Sequence, residues 1–287
     1  SNGFPNNFAR VIYQDSKGFM WFGSYDGLNR YDGYDMKIYM ASTGNEKGLS
    51  HNVVTALCEE ITPHGRYLWI GTENGLDCLH LETETFVHYK ADPATPGSLR
   101  SDRIKSLFID NGGTPWIGTD GGGLHRFDRK TGRFTPFLYT PGDTSSISND
   151  HIRCFYQPAG EPGRIMWIGT DRGFNTFDLH TRAFQRFVHE PSNPNSLSAD
   201  NVTCLTGDSL GNIWIGTWLG GLNKFDPRTR RFTRYRYDPS DRYSIGHDII
   251  RAIYEDRTGN LWIGTFGGGL ARFDRTRNTF YHYRSTS

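Results

Sequence analysis

"LWIGTFGGGLARFD" occupies residues 261–274, and the reading of this stretch decides the fold. Its tryptophan, glycines and closing aspartate suit a phosphate-cradling loop, a catalytic elbow or plain architecture. The same pattern recurs as "MWFGSYDGLNRYD" (20–32), "LWIGTENGLDCLH" (68–80), "PWIGTDGGGLHRFD" (115–128), "MWIGTDRGFNTFD" (166–178) and "IWIGTWLGGLNKFD" (213–226). By subtraction, Trp21, Trp69, Trp116, Trp167, Trp214 and Trp262 stand 48, 47, 51, 47 and 48 residues apart. Such a period marks a solenoid, a propeller or an array, and a motif present in every copy is not a single active site.

One repeat shows how the residues dictate structure. In the third copy "RIKSLFID", "PWIGT", "LHRFD" and "RFTPFLY" are short runs rich in β-branched and aromatic residues, separated by "NGGT", "DGGG" and "RKTG". They read as four antiparallel strands joined by turns, with no helix. "GTDGGG" (118–123) is therefore a strand-to-strand turn, whereas a phosphate loop needs a strand leading into a helix N-terminus. In the second strand Trp and the Gly two residues later share a face, leaving a notch at Gly23, Gly71, Gly118, Gly169, Gly216 and Gly264. In the first strand a small column (Val11, Ala56, Ser106, Cys154, Cys204, Ala252) alternates with a large one (Ile12, Leu57, Leu107, Phe155, Leu205, Ile253), so both faces are packed.

Two acidic columns read as turn chemistry. Asp32, Asp128, Asp178, Asp226 and Asp274 end the third strand, with His80 the exception, and can accept N–H groups of the next turn. Asn7, Asn52, Asp102, Asp150, Asp200 and Asp248 precede the first strand and fit the same local role. An open stack of these repeats exposes apolar ends and needs atypical caps, yet the outer copies are as aromatic as the middle ones. The expected fold is an all-β, six-bladed β-propeller of four-stranded antiparallel blades in one domain over residues 1–287. Its blades lie near 6–40, 50–90, 101–139, 149–188, 199–237 and 247–284; six blades of a seven-bladed ring is the alternative.

Composition excludes several classes. The net charge is +1, from 32 basic and 31 acidic residues, which lacks the electrostatic footprint of a nucleic-acid or anionic-membrane binder. No apolar run reaches membrane-spanning length and no charged-then-apolar leader opens the sequence. Cys154 and Cys204 would lie about 10 Å apart on neighbouring sheets, and Cys58 and Cys78 about 9 Å apart across one sheet. Both separations exceed disulfide reach, so four free thiols are expected. The ten histidines show no metal-ligand spacing, and no cofactor is expected.

The frame "WIGT…GGL.RFD..T..F" with linkers of the form "DP..P.SLS.D.V", and the opening "NNFARVIYQDSKGFMWFGSYDGLNRYDGY" (6–34), resemble the two-component-regulator propeller repeats of bacterial hybrid histidine kinases and related signalling proteins. The resemblance covers nearly the whole chain. It implies a periplasmic or extracytoplasmic, non-catalytic sensor module. The implied partners are a small-molecule or oligosaccharide ligand, further receptor domains and a homodimer in the full receptor.

In a propeller the turn after the second strand lies on a rim that serves as the default binding surface. Here it presents Tyr25, Glu73, Asp120, Asp171, Trp218 and Phe266. Tyr25, Trp218 and Phe266 form an aromatic sector facing an acidic one. The aromatics either bind ligand or cover the adjacent glycine turn. Near the start of the first strand stand Arg10, Lys105, Arg153 and Arg251, which either bind a polar ligand or pair with the rim carboxylates. A sensor thus predicts a lined mouth, a propeller lyase or glycosidase predicts a convergent acid–base set, and a protein-interaction or dimerisation module predicts an exposed apolar patch.

Overall fold

The computed structural model describes residues 8–41, 48–158 and 163–283. It divides into two compact units, 1–138 with 150–152 and 139–149 with 153–287. In unit 1, blade 1 is β1 (Val11–Gln14), β2 (Met20–Gly23), β3 (Leu28–Tyr31) and β4 (Met36–Tyr39). Blade 2 is β5 (Val54–Thr62), β6 (Gly65–Thr72), β7 (Gly75–His80) and β8 (Thr85–Tyr89). Blade 3 is β9 (Ile104–Ile109), β10 (Pro115–Thr119), β11 (Leu124–Asp128) and β12 (Arg133–Phe137).

Blade 4 begins with Ile152 and continues through unit 2 as β13 (Ile152–Tyr156), β14 (Ile165–Thr170), β15 (Gly173–Asp178) and β16 (Phe184–Phe187). Blade 5 is β17 (Val202–Gly207), β18 (Ile213–Thr217), β19 (Leu222–Asp226) and β20 (Arg231–Tyr235). Blade 6 is β21 (Ile250–Glu255), β22 (Leu261–Thr265), β23 (Gly269–Asp274) and β24 (Thr279–Tyr283). Each blade pairs its strands in chain order, and the described residues contain no helix. The fold class is a six-bladed β-propeller.

The "WIGT" strand is buried on both faces because consecutive residues serve different neighbours. In β18, Ile213 and Ile215 pack with Trp167 and Phe174 of blade 4, while Trp214 packs with Leu261 and Ile263 of blade 6. Burial of each such side chain contributes about 1.5–3 kcal/mol. The glycine notch is filled by the next blade: a Cβ on Gly216 would stand 2.7 Å from Ile250 Cγ2 and 2.6 Å from Cys204 Sγ. The indole N–H groups of five of these tryptophans donate to carboxylates. Those of Trp116, Trp214 and Trp262 donate to Asp110, Asp208 and Asp256 at 2.8, 2.7 and 2.8 Å.

The acid column that ends the third strand acts as local turn chemistry. Asp226 Oδ1 accepts from Arg228 N–H at 2.9 Å and Thr229 N–H at 3.3 Å, and in blade 2 His80 Nδ1 accepts from Thr83 N–H at 3.2 Å. The column before the first strand acts over longer range than its sequence position suggests. Asn52, Asp102, Asp200 and Asp248 accept the N–H groups of Ala41, Ala91, His189 and Tyr237 at 2.7, 2.7, 2.7 and 2.8 Å. Their backbone carbonyls also receive Gly27, Gly75, Gly173 and Gly221 from the rim turn of the preceding blade. Each therefore ties a linker to the rim beside it; Asn7 lies outside the described residues.

Candidate functional site

The rim is positioned by the threonine that ends the second strand. Thr72, Thr119, Thr170 and Thr217 are fully buried, and their hydroxyls donate to the carbonyls of Gly75, Gly123, Gly173 and Gly221 at 2.7–2.8 Å. The next residue leaves the sheet with its backbone held. The N–H groups of Glu73, Asp120, Trp218 and Phe266 donate to the carbonyls of Val53, Arg103, Asn201 and Ile249. On this held backbone the side chain that follows the threonine varies from blade to blade, which makes this position a natural carrier of specificity.

The cation column is set by a feature that residue patterning did not reveal. The first strand slips register against the second at Thr55, Lys105, Thr203 and Arg251. A β-bulge leaves one residue unpaired and re-aims its side chain. Thr55 and Thr203 use the bulge structurally, donating to the carbonyls of Ile104 and Ile250 at 2.6 Å. Lys105 uses the same bulge to carry a charge to the rim, and Arg251 occupies it in blade 6.

In unit 1 those charges are matched. Lys105 Nζ lies 2.9 Å from Glu73 and 3.8 Å from Asp120, and Arg103 reaches the same carboxylates at 3.3 and 2.9 Å. His151 Nδ1 is 2.6 Å from Asp120, and Arg10 lies 3.7 Å from Glu73 with its guanidinium over the Tyr25 ring at 4.8 Å. Tyr25 in turn leans on Phe8 at 5.9 Å. Burial works to raise Glu73, but the hydrogen bond and charge of Lys105, with Arg103 and Arg10, hold it below the usual carboxylate range. Arg10, Tyr25, Glu73 and Asp120 thus belong to one cross-linked cluster.

Unit 2 holds the other candidates. Arg153 forks onto Asp171 with two bonds of 2.6 Å. Trp218 and Phe266 lie 6.3 Å apart with rings tilted by 42°, and they are 40% and 59% exposed. Next to Trp218 in the rim turn of blade 5 sits Leu219, 59% exposed and held at φ 66°. The aligned residues in blades 3 and 6 are Gly121 and Gly267, at φ 83° and 86°. A side chain in that region costs about 1–2 kcal/mol, and such strain gathers at functional positions. "TWLGGL" beneath "TDGGGL" and "TFGGGL" carries the signal in the sequence. Arg251 is exposed and makes no ion pair or hydrogen bond among the described residues.

Cys58, Cys78, Cys154 and Cys204 are free thiols. Burial pushes Cys58 and Cys78 up to about 12 and Cys204 to about 11, which leaves them unreactive as nucleophiles near neutrality. Among the described residues, no three His, Cys, Asp or Glu side chains gather in a metal-holding group. No helix among them is long and apolar enough to cross a membrane.

Three segments, residues 3–26, 196–219 and 244–267, match the two component regulator propeller family. The chain is thus a β-propeller, three segments of which match that family. Histidine kinase P4 of Formosa agariphila is 30% identical over 180 residues, covering 59% of this chain and 12% of that protein. The extracellular domain of a hybrid two component system from B. thetaiotaomicron superposes with TM-score 0.78 at 26% identity, covering 100% of this chain and 36% of that one. Virginiamycin B lyase from Staphylococcus aureus has TM-score 0.65 at 12% identity, over 95% of this chain and 82% of that one, a likeness of fold alone. The chain spans little more than a third of the two-component structure and a smaller part of the kinase.

Proposed function

We propose that this chain is a non-catalytic, extracytoplasmic ligand-sensing module of a bacterial signal-transduction receptor. It takes a glycan or similar polar ligand at its rim, and further receptor domains carry the output. The observation that carries this reading is the exposed Trp218–Phe266 pair on a rim whose backbone is otherwise fixed. Sugar rings present flat apolar faces edged with hydroxyls, and aromatic rings pack on those faces. Similarity to an extracellular domain of a two-component system supports the same reading.

Calorimetric titration of a glycan panel tests it. A member of the panel should bind the wild-type chain and lose most of its affinity with Trp218→Ala. Binding by no glycan, or undiminished binding to that variant, would remove the site.

A further inference from the structure

Most cations of this column meet a carboxylate supplied by the rim. Lys105 and Arg10 meet Glu73, and Arg153 meets Asp171 of its own blade. Arg251 occupies the same bulge in blade 6, but the rim positions of blades 5 and 6 hold Trp218 and Phe266. Among the described residues its charge therefore lacks the counter-ion that its equivalents have. The surfaces that replace the carboxylates are apolar and exposed, and Leu219 extends them at a conformational cost.

These groups are contiguous. Phe266 N–H is bonded to Ile249 O, Trp218 N–H to Asn201 O, and Thr203 to Ile250 O, which places both rim turns beside the strand start that carries Arg251. A cation without a partner next to an apolar platform matches a ring that has one flat apolar face and one oxyanion. We infer that the ligand of this rim is an acidic sugar residue. Its apolar face lies on Trp218, Leu219 and Phe266, and its oxyanion takes the place of the missing rim carboxylate at Arg251. The inference rests on the glycan-sensing reading and narrows it to charged glycans. Guanidinium suits both a carboxylate and a sulfate because its paired donors match either group.

The test is calorimetry on the whole chain with three sets of probes. These are oligouronates, the same oligouronates as methyl esters, and neutral oligosaccharides bearing one sulfate. An oligouronate or a sulfated sugar should bind at least about tenfold more tightly than its uncharged counterpart, and the preference should weaken with salt. Arg251→Gln should lower the affinity for the acidic probe by about tenfold to a hundredfold and leave the uncharged one within about twofold. Because Arg251 is exposed and unbonded, an unchanged melting curve should accompany the variant. Leu219→Gly should weaken acidic and uncharged probes alike.

Equal binding of acidic and uncharged forms would overturn the acidic ligand while leaving glycan sensing in place. Acid preference that survives Arg251→Gln would overturn the assignment to this residue. Failure of every glycan would overturn both readings.

Discussion

The residue after the buried threonine is Glu73 in blade 2 and Asp120 in blade 3, and Arg10, Arg103 and Lys105, with the His151 imidazole, close around this pair. In blades 5 and 6 the same backbone presents Trp218 and Phe266, and Arg251 on the first strand of blade 6 has no ion pair among the described residues. The difference extends to the clamps that hold the linkers. In unit 2, Asn175 and Asn223 accept the N–H groups of Ser148 and Ser198, both at 3.0 Å. In unit 1 the equivalent acceptors are Asp77 for Ser50 at 2.8 Å and His125 for Arg100 at 3.2 Å. These linker clamps are ionisable in blades 2 and 3 and are amides that do not titrate in blades 4 and 5. One repeat can therefore serve two ends: saturated charge fixes a rim, and a deficit of carboxylate leaves a cation available.

The largest expected effect separates the two units by pH. His125 is fully buried; burial first, and the charge of Arg100 second, pull its pKa from 6.5 down to about 4. Between these values the unfolded chain holds the proton and the folded chain does not, so stability is full above 6.5 and is lost as pH falls through about 4. The loss should reach about 3 kcal/mol. His125→Asn installs the acceptor of blades 4 and 5 and should flatten this dependence. Denaturant melts at pH 7 and pH 4.5 check it; an equal drop in both proteins would show that His125 does not titrate as placed.

Next comes the charged rim itself. Glu73→Gln removes the negative charge that Lys105, Arg103 and Arg10 share and should cost about 1–2 kcal/mol, given its partial exposure. With Glu73 held below the usual glutamate range, its contribution is present above that range and is lost as pH falls through the lowered value. The variant should therefore differ from wild type at pH 7 and converge with it in strong acid. Parallel melting curves across pH would contradict the cluster.

How much of this was legible in the sequence follows from the range of each interaction. Strand β18 and the turn acceptor Asp226 were readable because a short β-branched and aromatic run between turn residues and an Asx turn are both local signals. The column of Asn52 and Asp102 was seen but given a local role, because its partners lie eleven residues upstream and in another blade. The rim residues were legible because they directly follow the second strand of each repeat. The bulge that aims Lys105 and Arg251, and the left-handed backbone of Leu219, were not visible as such. A bulge changes neither composition nor period, and only alignment with Gly121 and Gly267 exposes Leu219.

Leu219 supplies a smaller and opposite effect. Leu219→Gly relieves a side chain from φ 66° and should stabilise the chain by about 1 kcal/mol. If the residue is strained for packing alone, ligand affinity stays constant. If it belongs to the platform, melting temperature rises while affinity falls. The opposed signs are diagnostic, because a merely destabilised variant cannot produce them.

The smallest change in stability should come from making unit 2 resemble unit 1. Phe266→Asp places a carboxylate where Asp120 stands in blade 3, where Lys105 on the bulge of the same blade lies 3.8 Å away. Arg251 gains the counter-ion that it lacks, an exposed pair worth about 0.2–1 kcal/mol, so thermal melts should barely move. Phe266→Asn removes the same ring without supplying the charge and serves as the reference. Both variants lose apolar contact and should bind uncharged glycans equally poorly. The aspartate alone should also erase the preference for an acidic probe, because the ligand then competes with a tethered carboxylate for one guanidinium. Equal acid preference in the two variants would mean that Arg251 cannot reach position 266, and the contrast between the rims would reduce to their aromatic content.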